Sequence, residues 1–362
     1  MKVLCIADEG IKAESFEKAC RLFFGDAEIV VETDTELNKN HLPIIESQGP
    51  GAVRMPAAFQ KHPDAEIAIG SILCPFSAEI MDTLPNLRVI GTCRGGLENV
   101  DMDAAKARHI MVVNGFGRNA EAVSDFTLAI MLSEIRNVAR SYANLSRQHE
   151  TWRNQYVNEA YVPHMKEIRV GIFGFGNIGR LVAKKLTGFG SEIAVYDPFV
   201  SDDEVRALGY VPVTKEELFA QSDVVTIHAR LVDATRGIIG KDDIDRMKPT
   251  AFFVNTARAG LVDYDALLAA LQEKRIGGAA LDVFPEEPLP ADSVWRTLDN
   301  CTITEHIAGA VLASRAYAAR LVAESITMAM KGMPAPQIIT KDLMQDSAFQ
   351  VWAQDAMQQM HI

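Results

Sequence analysis

Five side chains of types that hold anions or move protons stand at, or just after, the ends of short apolar runs. His228 closes VVTIH, Arg258 follows AFFVNTA, and Asp282 sits near the end of GGAALDV. Glu287 lies in the loop beyond Asp282, and His306 follows TITE. An imidazole beside a carboxylate makes an acid–base pair: the ring takes up and returns a proton near neutral pH, and the carboxylate orients it and stabilises its charged form. A guanidinium is a rigid planar donor suited to a carboxylate. Each residue also has an ordinary reading. His228 or Asp282 would cap an element, Arg258 would join a surface ion pair, Glu286-Glu287 would be a solvated acidic loop, and His306 would be a satisfied histidine. Their common placement favours chemistry. In an open parallel sheet, ligands bind outside the carboxyl ends of the strands, and charge gathered there is costly to desolvate without a partner or a ligand.

A second constellation lies upstream, in IRVGIFGFGNIGRLVAKKL. Gly174, Gly176 and Gly179 form G-x-G-x-x-G, with Asn177 and Ile178 inside the turn. Ile168, Val170 and Ile172 alternate as a strand before it, and Leu181, Val182 and Leu186 start a helix after it. In that context the glycines allow a tight turn, backbone approach to a pyrophosphate and close helix–strand packing, and the helix N-terminus presents free N–H groups to phosphate. The next strand ends at Asp197. An acid there accepts hydrogen bonds from a ribose 2′-hydroxyl and repels a 2′-phosphate, which predicts NAD rather than NADP. A turn serving packing alone, or a flavin dinucleotide, is the alternative. A flavin site usually opens near the N-terminus, whereas here about 170 residues come first.

These side chains require strands to carry them. Short apolar runs alternate with helical patterns along the chain, which predicts βαβ units and parallel sheets. Eleven strands are expected: Val3–Ala7, Ala27–Glu32, Glu66–Ile69, Leu87–Gly91, Ile110–Val113, Ile168–Phe173, Glu192–Tyr196, Val224–His228, Ala251–Asn255, Gly278–Val283 and Thr302–Thr304. So many suit two α/β domains better than one sheet, as do the 362 residues. A helix over Ala120–Tyr142, apolar on two faces, predicts burial against a second domain or subunit. The tail beyond Ala335 has Phe349, Trp352, Ala356 and Met360 at helical spacing and is expected to dock on the protein's own surface or a partner subunit.

Composition narrows the partners. The formal net charge is −12 and the pI about 5.2, which disfavours general binding to nucleic acid or an anionic membrane. The segment MKVLCIADEG has no apolar h-region, so no secretory leader is expected, and no apolar run in the sequence approaches the length that spans a bilayer. The five cysteines have spacings that suit no zinc site and read as buried free thiols. They predict a reducing cytoplasm and no metal.

The motifs GFGNIGR, NTARAGLVDYDALLAAL, AALDVFPEEPLP and TEHIAGA closely resemble the D-isomer-specific 2-hydroxyacid dehydrogenase family, which includes phosphoglycerate, glycerate, lactate and formate dehydrogenases. The resemblance covers residues from about 66 to 331. It implies an NAD-binding Rossmann domain over 117–309 inserted in a flavodoxin-like substrate domain over 1–116 and 310–362. That is an α/β architecture of two doubly wound parallel sheets with a cleft between them, assembled as a homodimer. It places the family's catalytic Arg, Glu and His on Arg258, Glu287 and His306, and the acid at the nicotinamide amide on Asp282. His228, Thr256 and Ala257 join the cofactor contacts. The implied reaction is hydride transfer between nicotinamide and a 2-hydroxy or 2-oxo acid. The substrate loop falls on GTCRGGLENVD, where backbone N–H groups near Arg94, Gly95 and Gly96 would bind the substrate carboxylate. The family usually has glycine in place of Arg94, so a second anionic or hydroxyl group on the substrate is expected, unless the guanidinium is held in an ion pair. The alternative function is an NADH-sensing, non-enzymatic protein resembling the carboxyl-terminal-binding corepressors of the same fold.

Overall fold

The computed structural model describes residues 1–38, 41–146 and 164–362. The chain divides into two compact units, Met1–Arg118 with Val311–Ile362, and Asn119–Ala310. The described residues contain no helix long and apolar enough to cross a membrane.

The sheet of the first unit has strands β1 (Lys2–Ala7), β2 (Glu28–Thr33), β3 (Ile67–Gly70), β4 (Val89–Thr92) and β5 (Met111–Asn114), in the order β2-β1-β3-β4-β5. All its pairings are parallel. Successive side chains on a strand point to opposite faces. Accordingly, β1 sends Val3, Cys5 and Ala7 into one apolar cluster and Leu4 and Ile6 into another. A sheet covered on both faces needs this apolar run, and such a sheet is parallel with helices on each side. The C-terminal helix Ser347–Met360 belongs to this unit. Phe349, Ala353, Ala356 and Met360 share a cluster with Val322 and Ile326 of the helix Leu312–Met330, and Trp352 Nε1 donates to Glu66 Oε2 at 2.7 Å. The tail therefore docks on its own chain.

The second unit has β6 (Arg169–Phe173), β7 (Glu192–Tyr196), β8 (Val211–Pro212), β9 (Val224–Ile227), β10 (Phe252–Asn255), β11 (Gly278–Leu281) and β12 (Cys301–Ile303). Their order is β12-β11-β10-β9-β6-β7-β8, again with all pairings parallel. The order reverses direction between β6 and β9, so this is the switch point at which doubly wound sheets bind ligands. β8 has no counterpart in the sequence reading: two residues, one a proline, carry no apolar periodicity.

One expectation is corrected here. Ala120–Tyr142 is not a single helix. Two helices form, Ala120–Ile135 and Val138–Ser146, with Asn137 between them in the left-handed region at φ 56°. Ile130, Met131 and Ile135 pack against Val170, Ile172 and Val182 of the same unit. The first helix is therefore buried by its own sheet, and the exposed apolar side chains Val138, Tyr142 and Leu145 lie on the second.

Candidate active site

The turn after β6 meets the physical requirements of a phosphate cradle. Gly174 has φ 94°, and a Cβ there would stand 2.5 Å from the Ala229 nitrogen at the end of β9. A Cβ on Gly179 would stand 2.2 Å from the Gly174 carbonyl oxygen, so the first turn of the helix lies tight against the strand. Gly176 caps the helix Asn177–Leu186, and a Cβ there would meet nothing within 4 Å. That open side, next to the N–H groups of Asn177 and Ile178, has room for a pyrophosphate. Asp197 closes the turn from β7: Oδ2 accepts the Phe175 N–H at 2.6 Å and Oδ1 the Phe199 N–H at 2.9 Å.

His228 sits beside this turn at the end of β9. Its ring is buried, Nε2 pairs with Thr226 Oγ1 at 3.0 Å, and buried Nδ1 has no partner among the described residues. Burial lowers its pKa to about 3, so the ring is neutral at physiological pH. An orphaned buried ring nitrogen next to an open phosphate cradle fits a dinucleotide better than a packing-only turn. The unfolded chain, with a histidine pKa near the ordinary 6.5, binds one more proton than the folded chain between there and about 3. Stability contributed by this site is thus complete above pH ~6.5 and is lost as pH falls, by up to ~1.4 kcal/mol per pH unit. Thermal melts from pH 7 to 4 should show a shallower decline in His228→Gln than in the wild type. Equal slopes would mean that the ring is protonated in the fold.

The acid–base groups lie at the other end of the same carboxyl edge. His306 Nδ1 pairs with Glu287 Oε2 at 2.7 Å, while Glu287 Oε1 accepts the Phe284 N–H at 2.8 Å. Burial pushes the Glu287 carboxyl up, but the His306 hydrogen bond, the Phe284 N–H and the charges of His306 and Arg258 outweigh it and hold the pKa below the usual range. The carboxylate is therefore ionised at neutral pH. A cavity of about 670 Å³ opens beside the pair, lined by Phe284, Leu289, Ile303 and Ile307 among others.

The loop that presents His306 is anchored from below. Asp282 is fully buried; Oδ1 accepts from Thr304 Oγ1 at 2.6 Å and the Ile307 N–H at 3.0 Å, and Oδ2 accepts the Ala308 N–H at 2.9 Å. In this structure Asp282 is a positioning residue for the histidine loop, with its carboxylate engaged by that loop. The Thr304 hydroxyl was missed in the sequence, where its only signal was a threonine two residues before the histidine. His306 itself has φ 57°, a left-handed backbone that a non-glycine residue holds at some cost.

Asn255, the last residue of β10, folds the neighbouring turn around its amide. Its Oδ1 accepts the Ala257 N–H at 2.9 Å and its Nδ2 donates to the Arg258 carbonyl at 3.2 Å. Thr256 is buried against Thr127, Oγ1 to Oγ1 at 2.8 Å. The Arg258 side chain is exposed and donates to the Ala257 carbonyl at 2.7 Å, close enough to Glu287 to lower that carboxyl's pKa.

The loop carrying Arg94, Gly95 and Gly96 lies in the first unit. Asn114 Nδ2 donates to the Gly95 carbonyl at 2.8 Å, and the Gly115 N–H to the Arg94 carbonyl at 2.7 Å. Arg94 Nε pairs with Glu98 Oε2 at 3.0 Å, the ion-pair reading of that side chain. The N–H groups of Gly95 and Gly96 meet no acceptor among the described residues.

A family model described as D-isomer specific 2-hydroxyacid dehydrogenase, NAD binding domain, matches residues 128–308. Glyoxylate reductase of Korarchaeum cryptofilum is 32% identical to this chain, over 79% of it and 86% of the relative. D-3-phosphoglycerate dehydrogenase of Methanocaldococcus jannaschii is 34% identical over 78% of this chain, which spans 53% of that protein. The NAD-complexed D-isomer specific 2-hydroxyacid dehydrogenase of Lactobacillus delbrueckii ssp. bulgaricus, 19% identical, has the same fold, with a TM-score of 0.75 over 94% of this chain and 100% of its own.

Proposed function

The chain belongs to the D-isomer specific 2-hydroxyacid dehydrogenase family, with that family's NAD binding domain at residues 128–308, and from that premise we propose that Arg258, Glu287 and His306 interconvert a D-2-hydroxy acid and its 2-oxo acid. The observation that carries this reading is the 2.7 Å Glu287–His306 pair at the carboxyl edge of the dinucleotide-type sheet. When bound, NAD supplies or accepts the hydride. It would be held by Gly174, Gly176, Asn177, Ile178, Gly179, Asp197, His228, Thr256 and Ala257, with Asp282 acting through the loop that it fixes.

Glu287 takes the Nδ1 side of His306, so Nε2 is the nitrogen that exchanges a proton with the substrate oxygen. In reduction the imidazolium donates from Nε2 as the carbonyl oxygen becomes a hydroxyl; in oxidation the neutral ring takes that proton back. Ionised Glu287 holds the Nδ1 side of the ring and fixes its orientation. Arg258 binds the substrate carboxylate and polarises the carbonyl. The N–H groups of Gly95 and Gly96, with Arg94, are the proposed second carboxylate contacts. We further propose a homodimer in a reducing cytoplasm. The exposed apolar side chains of Val138–Ser146 and the five buried free thiols support those two readings.

The test is NADH and NADPH oxidation with glyoxylate, hydroxypyruvate, phosphohydroxypyruvate, pyruvate and longer oxo acids. Turnover with NADH, at least tenfold faster than with NADPH, is the expected result. NADH binding without turnover of any acid would favour the corepressor-like alternative.

A further inference from the structure

The substrate unit holds a cluster of positive charge of which the proposed hydride chemistry uses only Arg94. The turn Asn114–Arg118 packs against the Arg94 loop. The Arg118 N–H donates to the Gly115 carbonyl at 3.1 Å, the Gly115 N–H donates to the Arg94 carbonyl at 2.7 Å, and Gln337 Nε2 holds the Phe116 carbonyl at 2.9 Å. The guanidinium of Arg118 is half-buried. The titratable groups that act on it are the buried Cys93 thiol and the guanidinium groups of Arg315 and Arg94, and none is a carboxylate. Burial first, and then the two neighbouring guanidinium groups, lower its pKa. Among the described residues neither Arg118 nor Arg315 has an ion pair or a side-chain hydrogen bond. Glu98 pairs with Arg94.

Arg118 and Arg315, two guanidinium groups with no carboxylate partner among the described residues, in a chain whose net charge is −12, are a local reversal of sign. A half-buried cation facing other cations is unfavourable until an anion arrives. In the same loop stand the unpaired N–H groups of Gly95 and Gly96, so side-chain charge and backbone donors are gathered together.

We propose that Arg118, with Arg94 and Arg315, forms an anion subsite, and that the substrate is a 2-oxo or 2-hydroxy acid bearing a second anionic group, a carboxylate or a phosphate. This rests on the dehydrogenase reading above. The second anion sits among the three arginines, which screen one another's repulsion through it. It adds binding energy to ground state and transition state alike, so its removal appears mainly in KM.

The experiment compares NADH oxidation on pairs matched in length: oxaloacetate with 2-oxobutyrate, 2-oxoglutarate with 2-oxopentanoate, and phosphohydroxypyruvate with hydroxypyruvate. At least one dianion should exceed its partner tenfold or more in kcat/KM, and the preference should shrink as salt is raised. Which pair shows it separates a carboxylate from a phosphate. Arg118→Gln should lose roughly ten- to a hundredfold more on the dianion than on its partner, mostly in KM. Arg118→Lys should recover part of that loss, and Arg315→Gln, at an exposed position, should lose less in the same direction and serves if Arg118 variants fold poorly. Turnover with no dianion preference, or equal losses on both members of a pair, overturns the subsite and leaves the dehydrogenase reading intact. No turnover of any acid by the wild type, with NADH bound, overturns the reading on which the subsite rests.

Discussion

His306→Ala lowers kcat by roughly 10²–10⁴-fold, the usual contribution of a positioned general acid or base, while NADH affinity stays within a few fold of wild type. The two effects separate because the groups proposed to hold the dinucleotide are elsewhere. Gly174, Gly179 and Asp197 form their turn by backbone geometry and by the 2.6 Å contact to the Phe175 N–H, and none depends on the imidazole. The loss arises from the missing Nε2 proton and from an ionised Glu287 left facing the substrate without its partner. Glu287→Gln should cost less in turnover, about ten- to a hundredfold, because the ring remains but loses the carboxylate that orients it. In that variant the pH–rate profile should change shape as well as height. Added imidazole should restore part of the His306→Ala activity, since a diffusible ring can supply the proton. A loss below tenfold, or a parallel loss of NADH binding, would remove His306 from the acid–base role. Stopped-flow turnover and fluorescence titration of NADH, on the same preparations, give both numbers.

The parts of this molecule legible in the sequence are those fixed by local periodicity. β7 is found at Glu192–Tyr196 as read, and the other main strands fall within two residues of their expected ends, because a strand buried on both faces leaves a short apolar run that nothing else imitates. The carboxyl-edge rule placed Glu287 and His306 on one edge, and the family resemblance implied their partnership; the fold pairs them at 2.7 Å across 19 residues of chain. Less visible were features set by tertiary context. No glycine or proline marks the break at Asn137, and the apolar stripes run straight through it. The left-handed backbone of His306 leaves no mark in TEHIAGA. Asp282 was legible as a site acid, but its three donors from residues 304–308 depend on how that loop returns over β11. Arg94 shows the opposite case: an ion pair was one of the two readings of its side chain in the sequence, and Glu98 supplies the partner.

The largest stability effect is expected from a residue that no motif singles out. Glu134 stands in the apolar helix Ala120–Ile135 and is wholly buried. Its Oε2 accepts the Thr302 N–H at 3.0 Å and Thr302 Oγ1 at 2.6 Å, and Oε1 pairs with Arg140. Room for it comes from Gly278, where a Cβ would stand 2.3 Å from Oε1. One carboxylate thus ties the helix before the break, the helix after it and the edge strand β12. Glu134→Ala leaves the Thr302 donors and the Arg140 charge without their acceptor in a buried place, and breaking a buried pair from one side costs about 3–5 kcal/mol. For a domain of 150–250 residues that lowers Tm by roughly 6–20 °C. Burial, opposed by Arg140 and Thr302, holds the Glu134 pKa above the usual carboxylate range. The folded state therefore keeps this proton to higher pH than the unfolded chain. The site is most favourable below the ordinary carboxylate pKa, and part of that advantage is lost as pH rises through the raised value. Glu134→Gln keeps an acceptor for Thr302 but forfeits the charge opposite Arg140, so it should fall between wild type and Glu134→Ala and lack the wild type's pH dependence. Chemical denaturation of the three proteins at pH 5 and pH 8 decides the matter. A difference under 1 kcal/mol between wild type and Glu134→Ala would mean that desolvation of the carboxylate already cancels its three contacts.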